Sequence, residues 1–152
     1  MQEKYIQYLI HHGSLQKGDK EVNVKINCKL NGKYCGKCCY NTEMPLTRED
    51  IERIVKLGFP EKYFVNYNGQ VPKLKNIEGH CVFLDVRTGK CKIYENRPLG
   101  CRLYPLVYDA KEDRVTVDKL CPKFNEVSEE TIRKYEEYVK DLASRVLKGK
   151  LN

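Results

Sequence analysis

The sequence predicts an α+β fold: one small domain over residues 1–152, with two short β-hairpins and flanking helices around a cysteine-rich core at about 28–122. Three observations carry this. Helix signals stand on either side of a hairpin region, at 48–57 and at about 129–147. No repeat, low-complexity stretch or Ser/Gly linker divides the chain. Its 152 residues, 41% of them hydrophobic, suffice for one ordinary core.

Residues 2–12 read as a short helix with Tyr5, Ile6, Leu9 and Ile10 on its apolar side, ended by Gly13 and Gly18. VNVKIN at 22–27 alternates apolar and polar residues and is expected to be a strand leading into Cys28. Thr47 is a good N-cap for a helix at 48–57, and Asp50 three residues on approximates a capping box. Ile51, Ile54, Val55 and Leu57 are its expected buried face, and Gly58 and Pro60 its stop. A short helical turn follows at 60–66. Residues 81–94 read as a hairpin turned at Thr88-Gly89, with Cys81 and Cys91 at the starts of its strands. Pro98 and Gly100 read as a tight turn that fixes Cys101. A second hairpin is expected from 103–109 and 113–118. Ser128 then caps the helix at about 129–147, whose stripe Ile132, Tyr135, Val139, Leu142 and Val146 reads as core packing. The tail LKGKLN is expected to fray.

Cysteine chemistry dominates the rest. The eight cysteines are Cys28, Cys35, Cys38, Cys39, Cys81, Cys91, Cys101 and Cys121, three of them within CGKCC at 35–39. Two cysteines separated by two residues can turn their sulfurs to one centre, as in structural zinc sites and iron–sulfur ligation. Disulfides and free buried thiols are the alternatives. The start, MQEKYIQYLIHH, carries no apolar stretch of signal-peptide length. Disulfide-dense domains are also usually shorter than this one. Metal ligation by all eight thiols, in a cytoplasmic protein, is therefore the expectation. No apolar run is long enough for a transmembrane helix, so no membrane partner is expected. Neighbouring side chains of an extended chain point to opposite sides. Cys38 and Cys39 are thus expected to serve different sites, as two ligand groups or as one cluster plus a structural thiol.

Arg97 and Arg102 flank Cys101 and would offset the charge of a thiolate-rich centre, a solvated surface turn being the alternative. His80 is a weaker candidate ligand than the thiols, and His11 and His12 are weaker still. Tyr40, Tyr94, Tyr104 and Tyr108 lie near cysteines in sequence and shield the site or fill the core. No Ser–His–Asp arrangement, phosphate loop or paired-carboxylate motif stands out.

The formal net charge is +7. Two tetrathiolate zinc sites, each of about −2, would leave about +3. One cubane cluster with four thiolates would leave about +5. A mildly basic surface does not demand nucleic acid, and no zinc-finger or paired CxxC spacing is present.

At these residues the chain resembles the YkgJ-type cysteine-cluster family, the CxxCxxCC family described as zinc- or iron-chelating domains. The resemblance covers roughly residues 28–122. It rests on CGKCC at 35–39, LTREDIERI at 46–54, CVFLD and GKCKIYENRPLGCRLYP within 81–105, and Cys121-Pro122. The family pattern expects a cysteine three residues before Cys35, where this chain has Gly32. Cys28 is the substitute. The resemblance implies metal chelation in the cytoplasm and leaves the reaction undefined.

Clustered cysteines, the Cys-Pro step and the arginines favour a [4Fe–4S] cluster, with Zn2+ as the alternative. The expected role is an accessory, metal-handling or electron-transfer protein with an unknown protein partner. A metalloenzyme, or a zinc-stabilised module for binding nucleic acid or protein, is the rival reading.

Overall fold

The chain enters the described region, residues 22–148 of a computed structural model, as an extended segment. The expected helix at 2–12 and the end of the tail lie outside the described residues. Val22 and Val24 are buried, and the Val24 N–H donates to the Arg102 carbonyl at 2.8 Å. The alternation read at 22–27 is thus an alternation of burial. Among the described residues the segment is extended but pairs with no neighbouring strand.

Strands β1 (Lys29–Leu30) and β2 (Lys33–Tyr34) then pair antiparallel through a turn at Asn31 and Gly32, both at positive φ. The turn returns the chain on itself, so the Cys35 N–H donates to the Cys28 carbonyl at 2.7 Å. Gly36, at φ 63°, starts a single 3-10 turn over Lys37–Cys39. The left-handed conformation there favours glycine.

Thr47 caps helix α1 (Arg48–Lys56). Its Oγ1 accepts the Asp50 N–H and Asp50 Oδ2 accepts the Thr47 N–H, each at 3.0 Å, a complete capping box. The apolar face is narrower than expected. Ile54 is buried and Ile51 partly so, whereas Val55 and Leu57 are 41% and 45% exposed. They sit in the last turn, where the chain leaves the core. Gly58, at φ 106°, follows. Helix α2 (Glu61–Phe64) is the short turn expected next.

Strand pairs β3 (Val65–Asn66) with β4 (Lys73–Leu74), β5 (Asn76–Ile77) with β6 (His80–Cys81), and β7 (Leu84–Asp85) with β8 (Lys90–Cys91) follow, all antiparallel. Cys81 pairs with Asn76, so it ends the preceding hairpin rather than opening the one that holds Cys91. These strands are only two residues long, and cysteine-bearing turns rather than a continuous sheet set this region.

Helix α3 (Leu99–Leu103) replaces the tight turn expected at Pro98 and Gly100. Pro98 sits at its N-cap, where a missing N–H costs nothing. Gly100 is helical, and a Cβ there would collide with Met44 Sδ. Leu103 therefore belongs to a helix, and the second hairpin begins only at β9 (Leu106–Asp109), paired with β10 (Arg114–Val117). Ser128 Oγ accepts the Thr131 N–H at 3.1 Å and starts helix α4 (Glu129–Leu147).

Two apolar clusters result. One packs Tyr135, Val139 and Leu142 of α4 against α3, β9, β10 and the 22–26 segment. The other gathers Leu46, Ile54, Phe64, Phe83 and Ile93, with Cys39, Cys91 and Cys101 against its edge. The mixed α+β class stands, and the architecture is a helical layer plus a loop-rich, thiol-bearing half.

One carboxylate joins the halves. Asp50, 1% exposed, has Oδ1 accepting from the Leu99 N–H at 3.0 Å and from Arg53 Nη2 at 2.9 Å. Arg53 Nη2 also donates to the Arg97 carbonyl at 2.9 Å. The turn before α3 is thereby held to α1. Asp50→Ala should lower the unfolding free energy by about 3–5 kcal/mol, because it leaves the buried Thr47 and Leu99 N–H groups without an acceptor and Arg53 without its carboxylate. Urea unfolding reads this, and a change below about 1 kcal/mol would refute the clamp.

A second lock is steric. A Cβ at Gly89, φ 74°, would run into the Tyr34 carbonyl, and one at Gly36 would lie 3.1 Å from the Gly89 oxygen. The loop carrying Cys35, Cys38 and Cys39 therefore lies backbone to backbone against the β7–β8 turn. Gly32, at φ 78°, has open space instead. Gly89→Ala and Gly32→Ala both incur left-handed strain of about 1–3 kcal/mol. Gly89→Ala should destabilise more in thermal unfolding; equal effects would show that the contact is slack.

Candidate metal centre

Thiols from widely separated stretches meet around two adjoining cavities. One, of about 70 Å³, is lined by Cys28, Cys38, Cys39, Cys81, Cys91 and Cys101. The other, of about 60 Å³, is lined by Cys28, Cys35, Cys38 and Cys121. Cys28 and Cys38 face both. All eight cysteines carry free thiols. The sulfurs line the chambers rather than converge: among the described residues, no three His, Cys, Asp or Glu side chains are already grouped as an ion would hold them.

Each thiol is delivered by local backbone. The β1–β2 turn carries Cys28 to Cys35, so Gly32 gives the turn that makes Cys28 available. Cys38 and Cys39 leave the 3-10 turn as neighbours. The extended geometry expected of this pair is absent, and the Cys39 thiol hydrogen-bonds the Cys38 sulfur. Cys39 still faces only the first chamber, while Cys38 faces both. Cys81 ends β6, Cys91 ends β8, Cys101 lies in α3, and Cys121 begins a turn in which the Phe124 N–H donates to its carbonyl at 3.0 Å.

The electrostatics separate one thiol from the rest. The bond from Cys39, aided by Arg97, lowers Cys38 to about 7. The same bond, with burial, pushes Cys39 far up. Burial raises Cys81 to about 11 and also raises Cys28, Cys91, Cys101 and Cys121. Peptide N–H groups partly oppose this. Phe83 donates to Cys81 Sγ at 3.5 Å, and the N–H groups of Ile93 and Lys123 act likewise on Cys91 and Cys121. In all three cases the donor lies two residues after the cysteine. Such N–H···S contacts favour thiolate over thiol.

Arg97 lines both chambers. Its guanidinium stacks 4.1 Å from the Tyr94 ring centroid and donates through Nε to the Tyr94 carbonyl at 3.0 Å and through Nη2 to Asn23 Oδ1 at 3.0 Å. Its charge lowers Cys28, Cys38, Cys91 and Cys101. Arg102 stands elsewhere. It is buried, lines neither chamber, and donates to the Arg97 carbonyl at 3.1 Å and the Val22 carbonyl at 3.4 Å. It thus supports the turn that aims Arg97. His80 turns Nδ1 to the Cys81 carbonyl at 2.9 Å and lines neither chamber. Tyr94 and Tyr104 line both chambers; Tyr40 and Tyr108 line neither. Sequence reasoning missed the Asp50–Arg53 clamp as part of the site, although both residues lie in the quoted LTREDIERI stretch. It also missed the N–H···S donors, which are backbone groups and leave no residue-type signal.

Soft sulfur donors, peptide N–H groups aimed at them, one guanidinium between them and an apolar surround from Leu74, Phe83 and Ile93 make a donor set suited to a thiophilic metal. The comparisons agree with this chemistry. A 36% identical relative over 115 residues is an uncharacterised protein of Methanocaldococcus jannaschii; the match covers 71% of this chain and 63% of that protein. No solved structure matches. Residues 27–122 match the CxxCxxCC family, described as a "Putative zinc- or iron-chelating domain". With most of its length inside that match and all of its thiols among the matched residues, the chain belongs to the CxxCxxCC family.

Proposed function

We propose that the chain holds two four-thiolate metal centres side by side. Cys39, Cys81, Cys91 and Cys101 form the first; Cys28, Cys35, Cys38 and Cys121 form the second. The carrying observation is the lining of the two chambers. Cys39, Cys81, Cys91 and Cys101 face only one of them, and Cys35 and Cys121 only the other. Cys28 and Cys38 face both, and four ligands per centre assigns them to the second. Arg97 offsets the charge of both.

A [4Fe–4S] cluster is the favoured occupant and zinc the alternative. Hydrogen bonds to sulfur, the Cys121-Pro122 step and the adjacent guanidinium support iron–sulfur chemistry, which would supply one-electron transfer. Four thiolates per centre close the coordination shell, as structural and electron-transfer sites do. The role is therefore a cytoplasmic accessory, metal-handling or electron-transfer protein. A metalloenzyme is the second reading, favoured by a larger cavity on the far side of Cys38.

Serine variants test the division. Cys35→Ser or Cys121→Ser should lose about half the bound metal, and so should Cys81→Ser or Cys91→Ser, while Cys35→Ser combined with Cys81→Ser should lose nearly all. Metal analysis after desalting reads this. If any one substitution in each group emptied the whole protein, the eight thiols would serve a single centre.

The raised thiols also fix a pH dependence. Cys81 titrates at about 11 in the fold against 9.0 ordinarily, so the metal-free fold retains protons that the unfolded chain has released. The stabilisation is full below pH 9 and is lost as pH rises toward 11. Metal-free protein should unfold more readily across that window. Metal-loaded protein, whose thiols are already deprotonated, should not. Urea midpoints of the two forms check this, and equal alkaline losses would contradict it.

Arg97→Ala should speed metal loss to a competing chelator by about 10–100-fold without changing stoichiometry when metal is in excess. Arg97→Lys should recover only part, because an ammonium keeps the charge but not the stacked, forked geometry. Wild-type kinetics in the alanine variant would make Arg97 a purely structural residue.

A further inference from the structure

A third cavity, of about 480 Å³, opens on the other side of the thiol chambers. It lies between the 37–45 loop, α3, β9 and α4. Cys38 and Tyr104 line this cavity and both chambers, so they form the wall between it and the sulfur sites. The scale differs in kind. The chambers suit an ion or a small cluster, whereas 480 Å³ falls within the ~300–1,000 Å³ of pockets for organic ligands.

The lining is apolar along Leu103, Val139 and Leu142, and polar at one side. There the Tyr104 hydroxyl donates to Asp118 Oδ2 at 2.9 Å, and the Tyr108 hydroxyl donates to Asp113. The carboxylates acting on these hydroxyls are negative: Asp118 about Tyr104, and Asp113 and Asp109 about Tyr108. Loaded four-thiolate centres behind Cys38 would add to this sign. Of the two other ionic groups in the lining, Glu43 pairs with Lys73 at 2.7 Å, and Lys37 is an exposed cation. Two apolar side chains stand in the lining without cover: Tyr40 is 50% exposed and Leu120 81%. Aromatic faces beside a carboxylate attract organic cations, through the ring quadrupole and direct charge pairing.

We propose that this cavity binds a small organic cation, an amine or quaternary ammonium with an apolar body, against the Cys38–Tyr104 wall of the metal site. Asp118 balances its charge, the tyrosines face its cationic head, and the apolar floor between α3 and α4 takes the body. The metal reading determines only what lies behind that wall, so the cavity can be tested apart from it.

The test uses the full metal-loaded chain, titrated by calorimetry with benzyltrimethylammonium, benzyl alcohol and benzoate. Benzyltrimethylammonium should bind saturably, benzyl alcohol at least tenfold more weakly, and benzoate more weakly still. Asp118→Asn should weaken the ammonium by about tenfold. Because Asp118 also accepts the Leu120 N–H beside Cys121, a second variant is needed. Ala143→Phe fills the cavity from α4, at a position that lines neither thiol chamber, and should abolish binding with helical content and metal content unchanged. Absence of saturable ammonium binding, equal or tighter binding of benzoate, or full binding by Ala143→Phe would each overturn the proposal. Metal analysis of the same samples separates the two readings. Loaded protein that ignores the ammonium sinks the cavity alone. Ammonium binding by protein that takes up no metal supports the cavity and sinks the metal centres.

Discussion

The Asp50 carboxylate is the constraint on which the rest of the structure depends. It closes the cap of α1 through Thr47, fixes the first turn of α3 through the Leu99 N–H, and orients Arg53. Arg53 and Arg102 both donate to the Arg97 carbonyl. A single buried acceptor thus sets the backbone from which Arg97 and Cys101 project. Burying a carboxylate is costly unless it is fully hydrogen-bonded, and here each oxygen has partners. The helical half of the domain and the thiol-bearing half meet at this point.

The thiol-bearing half has little sheet to hold it. Its strand pairs at 29–34, 65–74, 76–81 and 84–91 are two residues per strand, and backbone contact between Gly36, Gly89 and Tyr34 does part of the work of a sheet. Burial disfavours the thiolate form of these cysteines, so they hold their protons more firmly than free thiols do. Peptide N–H groups and Arg97 act the other way. Cys38 is the thiol closest to ionisation, and it faces both chambers and the larger cavity.

Legibility in the sequence followed the range of the interactions. Helices α1 and α4 were readable because caps and periodicity are local: Thr47 with Asp50, Ser128 with Thr131, and the stripe from Ile132 to Val146. The β9–β10 hairpin was readable in its outer part. What failed depended on distant partners. The 22–27 segment has strand-like burial but, among the described residues, no strand beside it. Cys81 pairs backward with Asn76 because β5 is there to receive it. Gly100 lies within α3, where the closeness of Met44 leaves no room for a side chain. The metal chemistry of the family was visible in CGKCC and the later cysteines. The sorting of thiols between chambers was not, because the turn at Asn31-Gly32 sets where Cys28 stands, and contacts across the fold set where Cys121 does.

The central claim is two four-thiolate centres in one domain. Anaerobic purification with iron, sulfide and zinc analysis, followed by X-ray absorption at the metal edge of the same sample, tests it most directly. The account predicts a sulfur-only first shell of about four thiolate or cluster sulfurs per metal and two centres per chain: two clusters if iron, two ions if zinc. One centre per chain, or a first shell containing nitrogen or oxygen ligands, would contradict it.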